Sequence, residues 1–403
     1  MRVPAHVRRH LADTLLITAI TTGDSGMTTL LPPLFRDQGK GPISIGVLVA
    51  VPAIVALLIR LPGGLLYSPS RARPLLFGAL SLAAVSAGLF PHTDSVWLLV
   101  AIGTVYGAGF SAATTVNMAA MIDSLRPDED RGRAVGFYVA GMSFGYAVGA
   151  LVWGFVAQAA GFGAAFLGMA AMQVVALGVV LLSSAPEPAA AMAQARPAGT
   201  AWRRAQSFGA ALMDPAVTFM VMGSFFLNIF LSQFNTFMPL TLLPLGLTLG
   251  ELGALRSIWS FTNAIGRFLG GPVLSWLDHR RAQNGGLVLQ AGMLALFALT
   301  LPFGAYVAIT ILAASGRAVC YVANAVALSE VDPAKVGRGL ASGVMNAAGD
   351  LGKILGPVSG GFIASAAGLR SFWLISPPLY LAIYFAVLFA VRRKHVQGAP
   401  VAV

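Results

Sequence analysis

The chain contains a single cysteine, Cys320, which lies inside an apolar segment. One cysteine excludes a disulfide within the chain and a cysteine-based metal site. Histidine is also scarce, and all five histidines lie at the termini or in predicted loops: His6, His10, His92, His279 and His395. The sequence therefore predicts no buried metal centre, and we expect neither a metal nor a cofactor.

Charged residues make up only 10% of the chain, whereas hydrophobic residues make up 57% and the mean hydropathy is +0.78. This composition excludes a soluble globular domain. Apolar runs of about 20 residues, enough for a helix to cross about 30 Å of hydrocarbon, recur along the chain. They predict twelve membrane helices, at residues 14–35, 43–66, 74–91, 96–122, 133–158, 164–184, 215–243, 251–276, 286–303, 304–330, 339–366 and 371–391.

Acidic residues are fewer than basic ones, 15 against 26, and the formal net charge is +11. A basic balance is typical of nucleic-acid-binding proteins, but the positions of the charges argue against such a partner. The segments predicted to be cytoplasmic carry 18 Lys and Arg residues, whereas the outer loops carry three. This bias predicts that both termini are cytoplasmic. We expect an integral protein of the plasma membrane, which in a bacterium is the inner membrane.

The sequence repeats itself with a constant offset of 207 residues. Arg60 and Gly64 recur as Arg267 and Gly271, and 13 of the 31 residues at 131–161 are identical to those at 338–368. Two homologous halves of this kind predict an all-α polytopic membrane protein with two six-helix bundles. We expect the bundles at residues 1–184 and 214–403, related by a pseudo-twofold axis along the membrane normal. An Ala- and Pro-rich cytoplasmic linker, 185–213, joins them.

Glycine motifs within this repeat are shared with a known family. Helix eleven contains Gly-x-x-x-Gly-Pro-x-x-Gly-Gly beginning at Gly352, and helix five retains part of it with Ala150 in place of the proline. The loop after helix two keeps Gly64 and Arg73 of a second motif but has Ser68 at its Asp position. The chain thus resembles the major facilitator superfamily, in particular its 12-helix drug and metabolite exporters. That resemblance implies a secondary active transporter working by alternating access.

Asp24 lies near the middle of the first predicted helix, where an ionised side chain costs at least about 2.5 kcal/mol on insertion scales. Thr21 and Thr28 share its face of the helix, since residues three or four apart line up. Asn228 and Asn235 repeat the polar stripe in the seventh helix. In the resembling family these helices line a central cavity, which implies that the stripes bind substrate. The alternative for the threonines is hydrogen bonding to carbonyls of their own helix.

Three further charges lie near the middle of predicted helices. Arg317 shares a face of helix ten with Tyr321 and Asn324, and we expect these three residues to bind substrate. Asp350 and Lys353 are spaced i,i+3 on helix eleven and are predicted to pair. The pair is either a charge relay that substrate or proton opens, or two charges that neutralise each other; Arg317 could also neutralise Asp350.

Charged residues near the helix ends are predicted to serve the gates. They are Arg60, Arg267, Asp123 and Glu330 on the cytoplasmic side and Arg256 on the outer side. We expect Asp123 to pair with Arg126, Glu330 with Arg338, and Arg256 to lie beside Glu251.

The first functional hypothesis is proton-coupled export of a small organic compound, amphiphilic or zwitterionic, by a functional monomer. Asp24 would carry the proton, since a carboxylate that opens to one side at a time can load and release it. Aromatic residues crowd helix seven and would give the substrate an apolar lining, with exposure to lipid as the alternative for some of them: Phe225, Phe226, Phe230, Phe234 and Phe237.

Two other hypotheses stay open. In the second, Arg317 and Lys353 clamp a carboxylate or another anion, and the protein is an importer or exchanger. In the third, it is a non-transporting membrane scaffold, receptor or enzyme. The loops of a few residues leave no domain for signalling, and the apolar segments hold no catalytic histidine. We therefore expect no enzymatic activity.

Overall fold

The computed structural model describes residues 5–125, 131–182, 215–274, 278–331 and 338–397, and every regular element within those ranges is a helix. The all-α class predicted from hydropathy is confirmed. The predicted linker at 185–213 lies outside the described residues, so the predicted domain boundaries stay a prediction.

One helical stretch, Arg131–Leu182, is interrupted at Gly161, whose φ of 81° and ψ of 172° are not helical. We count it as α5 (131–160) and α6 (162–182). The described ranges then contain twelve helices in all. The others are α1 (Ala5–Asp37), α2 (Pro42–Leu66), α3 (Ala72–Leu89), α4 (Val96–Asp123), α7 (Pro215–Leu242), α8 (Leu249–Leu274), α9 (His279–Ala295), α10 (Phe303–Glu330), α11 (Arg338–Ala367) and α12 (Leu369–Gln397).

Helix α9 departs most from its predicted bounds of 286–303. It begins earlier because Asp278 caps it, accepting a hydrogen bond of 3.2 Å from the backbone N–H of Arg281. It ends earlier because a 3-10 turn, Leu296–Ala298, follows it, and Pro302 then caps α10. Hydropathy locates the apolar part of a helix, whereas its start is set by polar caps that hydropathy does not register.

The sequence repeat is visible in the backbone. Among the described residues, those with positive φ are Gly39, Gly161, Gly246 and Gly368. The first and third, and likewise the second and fourth, are 207 residues apart. Each lies at a junction between two consecutive helices, where the chain turns through a left-handed conformation that glycine adopts without a steric penalty. The repeat therefore extends to the turns that connect the helices.

The repeat also governs how helices pack. A Cβ on Gly149 of α5 would overlap the carbonyl group of Thr22 in α1, and one on Gly356 of α11 would lie 2.9 Å from the carbonyl oxygen of Ile229 in α7. These two contacts are related by the same 207-residue offset. The glycine motif thus serves close packing of backbone against backbone in both halves.

Contacts divide the chain into two compact units. Unit one comprises Met1–Gln194 and Asn235–Ala264, and unit two comprises Ala195–Phe234 and Ile265–Val403. A core cluster in unit one includes Leu16, Ile20 and Leu80, and one in unit two includes Val217 and Met220.

Seven helical stretches in the described ranges are long and apolar enough to cross a membrane, with α5 and α6 counted together. They include α2, α3, α4, α7, α10 and α12. Of the remaining helices, α9 has only 17 residues. The others carry polar or charged residues within the span, such as Asp24 in α1, Arg256 in α8 and Asp350 in α11.

Candidate functional site

Asp24 is the centre of a buried polar cluster in unit one. It is 6% exposed, and its two carboxylate oxygens accept hydrogen bonds from different helices. The hydroxyl of Tyr106 in α4 donates to Oδ1 at 2.9 Å, and the hydroxyl of Tyr146 in α5 donates to Oδ2 at 3.1 Å. The buried charge is thus satisfied by donors from both neighbouring helices, as a membrane interior requires.

The threonines of the α1 stripe contact backbone. Thr21 is fully buried, and its hydroxyl lies 2.8 Å from the carbonyl oxygen of Ile17 and 3.1 Å from that of Met142 in α5. The close approach of α5, permitted by its glycines, brings the second carbonyl within reach. Around Thr21 the stripe therefore faces a packed helix. The contact with Ile17 corresponds to the alternative in which threonines bond to carbonyls of their own helix.

Thr28, Asn235 and Arg256 form a second set of contacts in unit one. The Arg256 guanidinium donates to Thr28 Oγ1 at 3.0 Å and to Asn235 Oδ1. Arg256 is 5% exposed. Glu251, which we expected beside it, instead accepts hydrogen bonds from the backbone N–H and the hydroxyl of Thr248, at 2.7 and 3.1 Å. Glu251 caps α8, since a carboxylate in the first turn satisfies free backbone donors.

Tyr106 and Tyr146 were not predicted from the sequence. A tyrosine in a membrane helix is common, so neither residue stood out by itself. The repeat held a usable signal for one of them, because Tyr146 aligns with Lys353 and each follows a packing glycine, Gly145 or Gly352. A polar residue at the same register in both halves marks a position that faces other helices.

Arg317 lies in unit two and is 6% exposed. Its Nη1 donates to the carbonyl oxygen of Leu227 at 2.7 Å, and its Nη2 donates to Asn228 Oδ1 at 3.2 Å. Asn228 in turn donates to the carbonyl oxygen of Ser224 at 2.8 Å. Arg317 and Asn228 thus join α10 to α7 through hydrogen bonds. We had expected both residues to bind substrate.

Asp350 and Lys353 meet as their spacing predicts, with Lys353 Nζ 2.9 Å from Asp350 Oδ1. The two side chains differ in exposure, 8% for Asp350 and 40% for Lys353. The carboxylate is therefore inside the protein, whereas the ammonium is partly exposed. A role for the pair as a charge relay stays a prediction.

Tyr321 and Asn324, which were expected to share a binding face with Arg317, each lie against a different helix. Tyr321 is 45% exposed, and the Arg267 guanidinium lies 3.9 Å from its ring centroid. Asn324 is buried against Gly223 of α7, and its Oδ1 has no hydrogen-bond partner in the described part of the chain. Side chains at the edges of one stripe reach different neighbouring helices, which sequence spacing alone does not reveal.

The predicted gate residues are partly described. Asp123 accepts a hydrogen bond of 2.8 Å from the hydroxyl of Tyr67, and Glu330 lies 3.4 Å from His279 Nδ1. The side chain of Arg60 lies outside the described residues, and so do the expected partners of Asp123 and Glu330. The gate roles stay predictions.

The phenylalanines of α7 mostly pack against other aromatic rings. Phe226 lies 5.5 Å from Tyr384 between ring centroids, and Phe234 lies 5.7 Å from Phe297. Phe230 and Phe237 are also fully buried. Helix α7 is the most buried of the candidate spans. Its aromatic rings therefore fill the protein interior, whereas we had expected them to line a substrate site or to face lipid.

Within the described ranges, no three His, Cys, Asp or Glu residues are arranged to hold a metal ion.

A family model described as Major Facilitator Superfamily matches residues 14–337. Among curated relatives, the rat (Rattus norvegicus) vesicular acetylcholine transporter is 31% identical over 198 residues, which are 49% of this chain and 36% of the relative. The inner membrane transport protein YajR of Escherichia coli K12 is 27% identical over 124 residues, 30% of this chain and 26% of the relative. The chain thus aligns with about a third or less of the length of these relatives.

Two solved structures have the same fold. A bacterial homolog of the human lysosomal transporter Spinster has a TM-score of 0.80 at 16% identity, covering 98% of this chain and 99% of the other. The nucleoside transporter NupG has a TM-score of 0.76 at 15% identity, covering 96% of this chain and 99% of the other. With the family model matching most of its length, the chain belongs to the Major Facilitator Superfamily of membrane transporters.

Proposed function

We propose that the protein couples proton uptake to the export of a small organic compound, amphiphilic or zwitterionic, with Asp24 as the proton-binding residue. The observation that carries this proposal is the buried Asp24 carboxylate with a tyrosine hydroxyl on each oxygen. Ionisable groups within membrane segments are costly, and in transporters they commonly serve ions and substrates.

The hydrogen bonds of Asp24 depend on its protonation. The ionised carboxylate only accepts, so it can hold both Tyr106 and Tyr146 as donors. Once protonated, one carboxyl oxygen carries a proton that it can donate and becomes a weaker acceptor for its tyrosine hydroxyl. Proton binding therefore changes the contacts that join α1 to α4 and α5. A change of this kind links occupancy of one group to the arrangement of helices.

The surroundings of Asp24 suit a substrate with a cationic group. The ring of Tyr106 stacks on Phe110, with centroids 6.2 Å apart and planes 7° apart. Aromatic faces beside a carboxylate attract ammonium groups through both charge and the ring quadrupole. The names of two relatives agree: one is a transporter of acetylcholine, a quaternary ammonium, and another, 34% identical over 74 residues, is the multidrug resistance protein MdtG of Escherichia coli.

Export further depends on orientation. We place both termini in the cytoplasm and the protein in a bacterial inner membrane, acting as a monomer. The distribution of Lys and Arg supports the orientation. The name of YajR, an inner membrane transport protein, supports the location.

The alternative, an anion importer built on Arg317 and Lys353, has less support. Arg317 donates to Leu227 and Asn228, and Lys353 contacts Asp350. An anion at Arg317 would have to displace a hydrogen bond to a backbone carbonyl, which cannot turn away and would be left buried and unsatisfied.

The substitution Asp24→Asn tests the proton-coupling proposal. Asparagine preserves the size of the side chain but binds no proton, so uphill transport driven by a pH gradient should fall to the level of empty vesicles. Transport is measured in proteoliposomes with the compound that gives the largest thermal shift in a panel of quaternary amines, amino acids and amphiphilic cations.

Asp37→Asn is the matched control, because Asp37 is exposed at the end of the same helix. It should transport like the wild type. Uphill transport by Asp24→Asn on a proton gradient alone would contradict the assignment.

A further inference from the structure

Arg256 is a buried cation in unit one, the unit that also contains Asp24. Its guanidinium donates to two neutral oxygens, those of the Thr28 hydroxyl and the Asn235 amide. Its Nε has no hydrogen-bond partner among the described residues. A buried guanidinium whose hydrogen-bond partners are neutral would be stabilised further by a direct contact with an anion.

This cation lies in the surroundings of Asp24. Arg256 donates to Thr28, which lies one helical turn after Asp24 on α1. Asp24 and Arg256 are both buried, at 6% and 5% exposure. Unit one thus holds a buried acid and a buried base that are linked through α1.

The sequence repeat indicates that Arg256 is not part of the duplicated scaffold. Thr28 and Asn235 are repeat equivalents, 207 residues apart, whereas the equivalent of Arg256 is Val49. The fold forms in the first half without a charge at this position. The duplicated fold therefore does not itself require a buried charge at this position.

We propose that Asp24 and Arg256 are the two poles of a binding site for a zwitterion. The ammonium group of the ligand lies against Asp24 and the Tyr106 ring, and its carboxylate accepts from the Arg256 guanidinium, whose planar fork matches a carboxylate. This inference rests on the proposed function and narrows its substrate class to zwitterions that carry an ammonium and a carboxylate. It assigns to Arg256 the recognition of anions that the sequence had suggested for Arg317.

Two pairs of probes test the proposal: glycine betaine with choline, and phenylalanine with its methyl ester. In each pair the first compound carries a carboxylate and the second does not. Dissociation constants are measured on purified full-length protein in detergent by isothermal titration calorimetry. The wild type should bind each zwitterion at least tenfold more tightly than its cationic partner. Arg256→Gln should weaken zwitterion binding at least tenfold and leave binding of choline and the ester within about twofold.

Two further variants guard against a loss of folding. Arg256→Lys keeps the charge without the fork, and its affinity for zwitterions should lie between those of the wild type and Arg256→Gln. Arg370→Gln removes an exposed arginine at the start of α12 and should change no affinity. Thermal unfolding and gel-filtration profiles are recorded for each variant.

Three results would overturn the assignment. The first is that the wild type binds zwitterions and cations equally, and the second is that it binds no zwitterion. The third is that Arg256→Gln and Arg256→Lys lose affinity for zwitterions and for cations to the same extent. Proton-driven transport separates this inference from the proposed function. If Asp24→Asn abolishes that transport, but the wild type binds each zwitterion and its cationic partner equally, only the zwitterion site is wrong. If Asp24→Asn retains it, the proposed function fails first.

Discussion

At the scale of single residues, Arg317 and Arg256 are both buried arginines within predicted membrane helices, yet their contacts differ. Arg317 donates to a backbone carbonyl of α7 and to the side chain of Asn228. Arg256 contacts two neutral side chains and has an Nε without a partner in the described part of the chain. From the sequence we expected Arg317 to bind substrate and Arg256 to serve the outer gate, whereas their contacts favour a structural role for the first and ligand binding for the second.

The substitution Arg317→Lys separates these roles. A lysine ammonium keeps the charge but cannot reproduce both ends of the fork, so the variant should lose about 1.5–3 kcal/mol of stability, the range for hydrogen bonds to charged groups. Ligand affinity should change less than twofold. Stability is measured by chemical unfolding in detergent, with Arg71→Lys, at an exposed arginine before α3, as the control. A tenfold loss of affinity with unchanged stability would restore Arg317 as a substrate ligand.

At the scale of helices, the pair α1 and α5 depends on glycine. Gly149 approaches the backbone of Thr22 so closely that a methyl group cannot fit without moving a helix. In contrast, Gly136 in the same helix has no atom within 4 Å of the position where a Cβ would lie. One helix thus offers two glycines, one required by packing and one not.

Gly149→Ala should therefore destabilise the protein by about 1–3 kcal/mol through overpacking. Gly136→Ala should be neutral or stabilise it by up to about 1 kcal/mol, since alanine favours the helix. Apparent melting temperatures of the two purified variants check the expectation. Equal effects would show that α1 and α5 do not depend on close backbone contact at this point.

At the scale of the whole molecule, the arrangement in the membrane follows from the order of helices and the distribution of basic residues. Asp94, between α3 and α4, and Ser70, between α2 and α3, are both exposed in turns that α3 separates. If α3 crosses the membrane, the two turns lie on opposite sides. The single native cysteine is buried and need not be removed.

Cysteines introduced at these positions test the topology. With both termini in the cytoplasm, Asp94→Cys should react with a membrane-impermeant maleimide in intact cells, whereas Ser70→Cys should react only after permeabilisation. The wild-type chain serves as the unlabelled control. The reverse pattern would invert the orientation, and with it the argument for export.

Much of the fold could be predicted from the sequence, because a membrane imposes few solutions. Long apolar segments must form helices, since lipid offers no hydrogen-bond partners to the backbone. The 207-residue offset anticipated the paired turns at Gly39 and Gly246. The bounds of α9 were less predictable, because capping by Asp278 depends on local hydrogen bonds rather than on hydropathy.

The candidate site was predictable only in part. Asp24 and the pair of Asp350 with Lys353 were found because a charge in an apolar segment is unusual, and an i,i+3 spacing fixes a contact within one helix. Their partners on other helices were not, since composition and spacing do not determine which faces of different helices meet. Tertiary structure alone decided that Tyr106 and Tyr146 donate to Asp24, and that Arg256 bonds to Thr28 and Asn235 rather than lying beside Glu251. Those contacts join residues up to 228 positions apart, and only packing sets distances over such separations.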